Sequence, residues 1–505
     1  MVAGIIARLG LVPAFASLCL ADLAADFASS NTCRAKDVCS KINERYQGTV
    51  FRPGSETYDS ENNHYFSPTS ASSPICVFVP CNAQEVAGAV EILAASGTKF
   101  AVRAAGHMPI PGYSNTDGGV LITFSGMKQL ELSGDKSFVS VGPGNTWGNV
   151  YEYLEPHGLV SLGGRVGGVG VPGLLLGGGI SFYSNQHGFA SNNVVAYEVV
   201  LASGKIITAT ATKNSDLFWA LKGGGNSFGI VTRFDLATYN SPKICAGILL
   251  HDGAPHEEFI SAISRFAQEH SKDTKAAITP AINLIPTHDL TVYMSFLFYD
   301  GPDCNQPALS DFMDIPSTNR TYRQTTMAKV AAEQDAFIPI GMRRSFHVLS
   351  TLATVEAIEI AYDVFASSIK TELSDIPNLT SSIAFQPISK QFIEAGEKKG
   401  GNPQGVDASK APYLWMIQEM SWPDAKDDER IAEYRKTSSA KVEEKLAAAG
   451  QNAEYLYLND ADKFQAVFES YGGDNLSKLK QIRAKYDPDR LFTDAMAGGW
   501  KVEHA

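Results

Sequence analysis

The sequence predicts an α+β protein with two domains, and three observations support this fold class. The chain has 505 residues, which is more than one small hydrophobic core usually organises. Up to about residue 245, short strand-like and helix-like segments alternate around clusters of glycine. From Gly247 onward, strand-like runs alternate with charged amphipathic helices, and no comparable glycine cluster recurs. We therefore expect the later part to form a separate domain.

The predicted elements follow in order along the chain. A helix is expected over 82–95 with Asn82 as its cap, and another over 146–157 that ends before Gly158. Short strands are expected over 76–79, 100–103, 120–124 and 138–141. Residues 198–209 have the pattern of a β-hairpin around Ser203 and Gly204. In the later domain, strands are expected over 291–298 and 413–419, and a helix over 425–449.

The composition indicates a globular protein and argues against several partners. Apolar residues make up 44% of the chain and charged residues 19%. The 42 basic residues are outnumbered by 54 acidic ones, which disfavours nucleic acid as a partner because phosphates require clustered Lys and Arg. Beyond the first residues, no stretch has the length and apolar character of a membrane span. No Cys-x-x-Cys pair or spaced His pair predicts a metal site.

The N-terminus is typical of a secretory signal peptide, which we place at residues 1–21. Six cysteines follow it, and an even number in a secreted chain permits disulfides. Cys33 with Cys39, and Cys76 with Cys81, are close enough in sequence to pair locally, although spacing alone leaves the pairing open. Three Asn-x-Ser/Thr triplets, at residues 319, 378 and 475, are consistent with a secreted glycoprotein.

Two motifs carry the functional signal. His107 follows Gly106 directly after the strand expected over 100–103. About sixty residues later comes a run of glycines over 163–179, which we call the glycine ladder. Glycine turns let backbone N–H groups approach a pyrophosphate without a side-chain clash. A Rossmann site is the alternative, but it needs a strand, G-x-G-x-x-G and a helix near the start of a βαβ unit, and the ladder lacks that layout.

These motifs belong to an ordered series that resembles one family. The series continues through 193–201, 216–232, 457–459 and 486–492. It resembles the vanillyl-alcohol-oxidase and p-cresol-methylhydroxylase (PCMH) superfamily, and within it the berberine-bridge-enzyme-like FAD-linked oxidases of the fungal type. The resemblance implies a PCMH-type FAD-binding domain of two subdomains over 22–245, with its core at 70–241. It also implies an antiparallel-sheet-and-helix substrate domain over 246–454, and a C-terminal return to the FAD-binding domain over 455–505.

The resemblance also implies FAD as the cofactor. His107 occupies the place of the histidine that bonds covalently to the flavin, and Arg103 is expected to add positive charge near the pyrophosphate. Many relatives attach the flavin a second time through a ladder cysteine, but the ladder has no cysteine here. We therefore expect attachment through His107 only. The other residues expected to bind FAD are Ala104, Ala105, Gly106, Met108, Gly144, Gly163, Val166, Val169, Gly170, Val171, Gly173, Gly177, Gly178, Gly179, Asn193, Val194, Ile230 and Asn459.

The resemblance also bears on catalysis. Val169 lies where relatives place a residue that controls access of O2 to the flavin, and valine there favours an oxidase. Asp460 takes the place of a tyrosine base of plant relatives, although a solvated aspartate at a strand end is an equally good interpretation. Tyr457 and Glu419 are the alternatives for the catalytic role. Further phenols and polar groups are candidates for the same cleft: Tyr183, Tyr293, Tyr299, His347 and Gln418.

The sequence thus predicts a secreted FAD-dependent oxidase that takes a hydride from a small organic substrate and reduces O2 to H2O2. The expected substrates are alcohols, amines or phenolic or polyketide-type secondary metabolites. Three alternatives stay open: an oligosaccharide oxidase of the same family, a flavoprotein cyclase without net hydride transfer, and a flavin-binding protein without catalysis.

Overall fold

The computed structural model describes residues 35–241, 243–251, 253, 256–338, 341–496 and 498–505. The expected signal peptide and Cys33 lie outside these residues. Within them, no helix combines the length and the apolar character that a membrane span requires. The architecture is α+β, as predicted, with helices packed on three larger sheets.

A four-stranded sheet lies near the start of the chain. Its strands, in spatial order, are Val50–Phe51, Cys76–Phe78, Val120–Thr123 and Phe100–Arg103. The last three are parallel, and the first is antiparallel at the edge. The helix Ala83–Ser96 connects two of the parallel strands, and the Asn82 side chain accepts a hydrogen bond from the Glu85 N–H at its first turn. The predicted capped helix is therefore confirmed. The next strand delivers His107 at its carboxyl end.

A five-stranded antiparallel sheet completes the first domain. Its spatial order is Leu130–Leu132, Phe138–Val141, Ile230–Ala237, Val194–Val200 and Ile206–Thr210. The last two strands form the predicted hairpin. The helix Trp147–Leu154 continues as a 3-10 turn over Glu155–His157 and ends at Gly158, where φ is +67°. This end was also predicted, because a left-handed residue favours glycine.

The second domain is built on an eight-stranded sheet, antiparallel throughout. Its strands are Asn319–Arg320, Ile244–His251, Leu290–Tyr299, Ala276–Ile285, Thr380–Ile388, Tyr413–Trp422 and Arg343–Leu352, with Arg323–Thr325 beside Ile244–His251. The helices His256–Gln268, Val355–Glu372 and Asp428–Ala448 pack against one face. The expected domain boundary at residue 245 falls inside a strand.

Successive side chains along the strands of this sheet point to opposite faces, because β-strands have a side-chain period of two. Ile282 and Leu284 belong to the core beneath the helices, whereas Ala281, Asn283 and Ile285 line a cavity on the other face. The same alternation holds on two further strands. Residues 383, 385, 416 and 420 belong to the core, whereas residues 382, 384, 417, 419 and 421 line the cavity. One face of the sheet therefore forms the roof of the cavity.

Two disulfides differ from the local pairs considered from sequence. Cys39 is bonded to Cys76, and Cys245 to Cys304. Cys39 lies on the helical segment 35–45, which packs against the buried start of strand Cys76–Phe78. Cys81 lies beyond that strand after Pro80, and it is exposed and unbonded. A pairing of Cys76 with Cys81 was therefore wrong.

The shorter elements complete the two domains. The helix Gly473–Tyr486 packs against Ser215–Ala220, so the C-terminal residues contact the first domain. The remaining elements are Glu56–Asn62, Pro68–Ser70, Leu159–Val160, Val171–Leu176, Ser184–His187, Ala190–Asn193, Tyr239–Asn240, His270–Lys272, Pro286–His288, Pro307–Leu309, Ser310–Asp314, Met327–Ala336, Lys390–Glu397, Ala425–Asp427, Leu458–Asp460, Glu469–Tyr471 and Leu491–Ala495.

Candidate active site

A cavity of about 810 Å³ lies between the glycine ladder and the roof sheet. The structure brings the two sequence motifs together at its floor. A Cβ atom on Gly170 would lie 3.0 Å from the Ala105 backbone nitrogen, so the ladder touches the segment that carries His107. Fifteen of the residues expected to bind FAD or act in catalysis line this cavity: Ala104, Ala105, Gly106, His107, Met108, Val166, Val169, Gly170, Gly173, Gly177, Ile230, Glu419, Tyr457, Asn459 and Asp460.

Eight expected cofactor residues are not among those that line the cavity: Arg103, Gly144, Gly163, Val171, Gly178, Gly179, Asn193 and Val194. Several have packing roles. A Cβ atom on Gly163 would lie 2.0 Å from the Trp147 ring, and one on Gly144 would lie 1.9 Å from the Phe124 carbonyl oxygen. The Asn193 side chain bonds instead to the Phe189 carbonyl and the Tyr239 hydroxyl. Glycine in the ladder therefore serves close packing as well as the cavity surface.

Arg103 is paired with residues that lie earlier in the chain. Its side chain is 2% exposed, and its guanidinium is paired with Glu61 at 2.5 Å. It also donates to the Glu61 and His64 backbone carbonyls. Arg103 is therefore held by protein partners and is not among the residues that line the cavity. Its partners instead fix the loop before Gly106, where φ is +71° and a Cβ atom would lie 2.8 Å from the His64 carbonyl oxygen.

His107 is held in an aromatic stack. Its ring lies 3.9 Å from the Phe66 ring, with an angle of 13° between the planes. The Arg344 guanidinium lies 4.5 Å from the Phe66 ring centroid. Burial lowers the pKa of His107 to about 4, and the Arg344 charge acts in the same direction. The imidazole is therefore neutral at neutral pH, which leaves a ring nitrogen with a free lone pair for bond formation.

Arg344 also pairs with Glu419. The Arg344 Nη1 lies 2.5 Å from Glu419 Oε1, and the two side chains are 4% and 32% exposed. The exposed part of Glu419 faces the cavity. Burial raises the pKa of Glu419, and the Arg344 charge opposes that rise. Glu419 is thus occupied by an arginine, which makes it a weaker proton acceptor than an unpaired carboxylate.

Asp460 is the second carboxylate of the cavity. It lies in the 3-10 turn Leu458–Asp460 and not at the end of a strand. Burial raises its pKa to about 6, the Glu419 charge adds to the rise, and the Arg165 charge opposes it. Gln386 Nε2 donates to Asp460 Oδ2 at 2.9 Å. A carboxylate with this pKa is ionised at neutral pH and holds a proton more strongly than an exposed aspartate.

Tyr457 and Asn459 support the floor. The Tyr457 hydroxyl accepts hydrogen bonds from the Ile180 N–H at 3.1 Å and from Asn459 Nδ2 at 2.9 Å. Burial raises the pKa of Tyr457 far above its usual range, so the phenol stays protonated and is unsuited to act as a base. Asn459 also donates to the Leu174 carbonyl oxygen at 3.0 Å. A Cβ atom on Gly177 would lie 2.0 Å from Asn459 Oδ1, so this close contact requires glycine.

Sequence reasoning missed four residues that complete the site: Phe66, Arg165, Arg344 and Gln386. Only Arg165 had a usable signal, because it is the one charged residue within the glycine ladder. The earlier candidates Tyr183, Tyr293, Tyr299, His347 and Gln418 are not among the cavity-lining residues. Trp415 is buried in the core shared by the two domains. Across the described ranges, no group of three or more His, Cys, Asp or Glu side chains could hold a metal ion.

The cavity fits a flavin dinucleotide in three respects. Its volume lies in the range of pockets that enclose a cofactor. Its floor is built of small residues, including Gly106, Gly170 and Gly173, where backbone groups face the ligand without bulky side chains. The Ser114 hydroxyl lines the cavity and is buried without a hydrogen-bond partner among the described residues. An unsatisfied buried hydroxyl is costly unless a ligand or water supplies the partner.

Comparison with known proteins places these observations in a family. Residues 74–210 match the model of an FAD binding domain, and residues 456–496 match the model described as berberine and berberine like. The FAD-dependent monooxygenase prx3 of Penicillium roqueforti is 35% identical, over 97% of this chain and 98% of the relative. The chain belongs to the berberine-bridge-enzyme-like family of FAD-linked oxidoreductases. The second matched segment contains Asp460, and the first contains His107 and the ladder.

Further relatives and solved structures agree with this family. Bifunctional solanapyrone synthase of Alternaria solani is 33% identical, over 90% of this chain and 86% of the relative. The solved 6-hydroxy-D-nicotine oxidase of Arthrobacter nicotinovorans has a TM-score of 0.75 at 20% identity, over 88% of this chain and 96% of that one. Glucooligosaccharide oxidase of Acremonium strictum has a TM-score of 0.73 at 19% identity, over 92% and 98%. These solved structures share the fold.

Proposed function

We propose that this FAD-linked oxidoreductase is a secreted oxidase that uses Asp460 as its catalytic base. The observation that carries the proposal is a partly buried carboxylate in the cavity, whose pKa of about 6 suits proton transfer near neutral pH. Glu419 is paired with Arg344, and Tyr457 stays protonated, so Asp460 is the better acceptor of the three.

The reaction divides between the cofactor and the chain. Bound FAD supplies the acceptor for a hydride from a substrate carbon, and O2 takes the electrons onward to give H2O2. Asp460 accepts the proton that leaves the substrate hydroxyl or amine as the hydride leaves carbon. The roof sheet and the ladder enclose the site and limit the entry of water. Val169 keeps the cavity wall beside the ladder small, which supports access of O2.

His107 is the proposed single point of covalent attachment. It lines the cavity, and its neutral imidazole suits bond formation with the flavin. In glucooligosaccharide oxidase the FAD is described as 6-S-cysteinyl, 8α-N1-histidyl. The ladder of this chain has Gly164, Arg165 and Val166 and no cysteine, which supports attachment through the histidine alone.

The cavity lining supports a small organic substrate of apolar character, such as a phenolic or polyketide-type compound. The roof contributes Ile285, Val292, Met294, Phe346 and Ile417, and it also carries the polar side chains of Asn283, Thr380, Ser381, Ser382 and Ser421. An oligosaccharide would need many hydrogen-bonding groups for its hydroxyls, because each polar group buried without a partner is costly. Export of the protein is supported by two disulfides in the described residues, since disulfides persist in oxidising compartments.

The test is to mix the purified flavoprotein anaerobically with a panel of alcohols, amines, phenolics and oligosaccharides, and to follow bleaching of the flavin absorbance. Admission of air should then return the colour with about one H2O2 for each product formed. Asp460→Asn should reduce its flavin about 10² to 10⁴ times more slowly, the range for loss of a general base, with normal flavin content. Wild-type reduction rates in that variant would refute the assignment of the base. Product formed without flavin bleaching or H2O2 would instead favour a cyclase.

A further inference from the structure

Arg165 and Gln386 form a connected pair behind Asp460. Arg165 donates from Nη2 to Gln386 Oε1, and from Nη1 to Thr279 Oγ1 at 3.0 Å. Gln386 Nε2 in turn donates to Asp460 Oδ2 at 2.9 Å. We infer that Arg165 and Gln386 are positioning residues that orient the Asp460 carboxylate for proton transfer. This inference rests on the proposed role of Asp460 as the base.

The direction of this chain of hydrogen bonds is fixed by chemistry. A guanidinium can only donate, so the oxygen of the Gln386 amide must face Arg165 and its NH2 group must face Asp460. Gln386 therefore offers Asp460 a donor, which occupies Oδ2 and favours the ionised carboxylate. The other oxygen, Oδ1, is left to accept the substrate proton. Without Arg165, the amide could flip and present its oxygen to Asp460, which would turn a stabilising contact into a repulsive one.

The pair also joins the two domains. Arg165 comes from the glycine ladder, whereas Thr279 and Gln386 come from strands Ala276–Ile285 and Thr380–Ile388 of the roof sheet. Gln386 is 2% exposed, so its amide is fixed by packing as well as by hydrogen bonds. Arg165 and Gln386 also border a second cavity of about 30 Å³. The base is therefore correctly oriented only where the ladder and the roof are docked.

The charges around Asp460 predict how its pKa changes when a neighbouring group is removed. Arg165 from the ladder lowers the pKa of Asp460, whereas Glu419 from the roof raises it. Arg344 neutralises much of the Glu419 charge through their ion pair. The phenols of Tyr455 and Tyr457 also face Asp460, and both stay protonated because burial raises their pKa values. Removal of the Arg165 charge should therefore raise the pKa of Asp460, and removal of the Gln386 donor should act in the same direction.

The experiment measures the pH dependence of flavin reduction by one substrate in single-turnover mixing, for Arg165→Met, Arg165→Lys and Gln386→Leu in the full-length flavoprotein. A base must be ionised to act, so the wild-type rate should rise with pH around 6. In Arg165→Met and Gln386→Leu, the pH at which the rate rises should increase by about one unit. This is the range expected when a neighbouring group that favours the ionised carboxylate is lost. Arg165→Lys should restore part of the shift, because it keeps the charge.

Thr279→Val is the matched control. It removes the other hydrogen bond of Arg165 but leaves the connection to Gln386, so the pH at which the rate rises should stay at the wild-type value. If Arg165→Met and Gln386→Leu keep the wild-type pH profile and lose only thermal stability, the pair is merely structural and the inference is refuted. If Arg165→Met does not fold, Gln386→Leu alone decides. Failure of the proposed base is distinguished by Asp460→Asn, which would then reduce its flavin at the wild-type rate.

Discussion

Replacement of Asp460 by asparagine should stabilise the fold while it removes activity. Burial raises the pKa of Asp460 from 3.8 to about 6. The ionised side chain is therefore less favourable in the folded protein than in the unfolded chain, where its pKa keeps the lower value. Each unit of pKa difference between the folded and unfolded states corresponds to about 1.4 kcal/mol. The rise in the pKa of Asp460 therefore lowers the free energy of unfolding by about 3 kcal/mol at pH 8. Asparagine keeps the shape and an oxygen for the Gln386 hydrogen bond, but carries no charge.

The sign of this effect depends on pH. Well below pH 3.8 the carboxyl is protonated in both states and the penalty vanishes, whereas well above pH 6 it is ionised in both states and the penalty is complete. The free energy of unfolding of Asp460→Asn should therefore exceed that of the wild type by about 3 kcal/mol at pH 8 and by about half as much at pH 5. Urea unfolding of the flavoprotein, followed by tryptophan fluorescence at both pH values, measures the difference.

The control for this measurement is Asp489→Asn, since Asp489 is exposed. It should change the free energy of unfolding by no more than about 0.5 kcal/mol at either pH. An Asp460→Asn protein that is less stable than the wild type at pH 8, or whose advantage does not change with pH, would refute the reasoning. Asp460 would then not be an ionised carboxylate in an unfavourable environment.

Three other predictions concern the site and its support. His107→Ala should release its flavin on acid precipitation, whereas the wild-type flavin stays with the protein; a cysteine-linked flavin peptide in mass spectrometry would contradict the single attachment. Val169→Leu should slow the reaction of the reduced flavin with O2 more than it slows reduction by substrate, and equal slowing in stopped-flow absorbance would exclude a specific role for Val169. Glu61→Gln should lower the free energy of unfolding by about 3 to 5 kcal/mol, because it leaves the Arg103 charge buried without its carboxylate. The exposed pair of Lys485 with Asp216 offers the control, since Lys485→Met should cost less than about 1 kcal/mol in the same urea titration.

Local signals in the sequence were sufficient for elements whose contacts are short in range. The helix after Asn82 and the stop at Gly158 were predicted because capping and left-handed turns depend on neighbouring residues. The disulfides were not predicted, because their partners are far apart in the sequence. Cys39 and Cys76 are 37 residues apart, and Cys245 and Cys304 are 59 residues apart. Spacing alone gives no information about such partners.

The site shows the same limit. The motif around His107 and the ladder were recognised as parts of one pattern, and the structure places both at the cavity. Arg165 and Gln386 are 221 residues apart, so nothing in the sequence connects them before the roof docks on the ladder. Gly163 shows a second limit of the sequence, because a glycine has more than one possible role. A glycine can permit approach of a ligand or of a neighbouring side chain, and here the neighbour is Trp147.

The alternation along the roof strands has a consequence for evolution. Positions such as Ala281, Asn283 and Ile285 face the cavity, while Ile282 and Leu284 between them hold the helices in place. Mutations at the first set can change the shape and polarity presented to a substrate with little effect on the helical core. Selection can therefore diversify substrate preference at every second residue without loss of folding. A combinatorial library confined to those positions should retain a high fraction of folded, flavin-containing members.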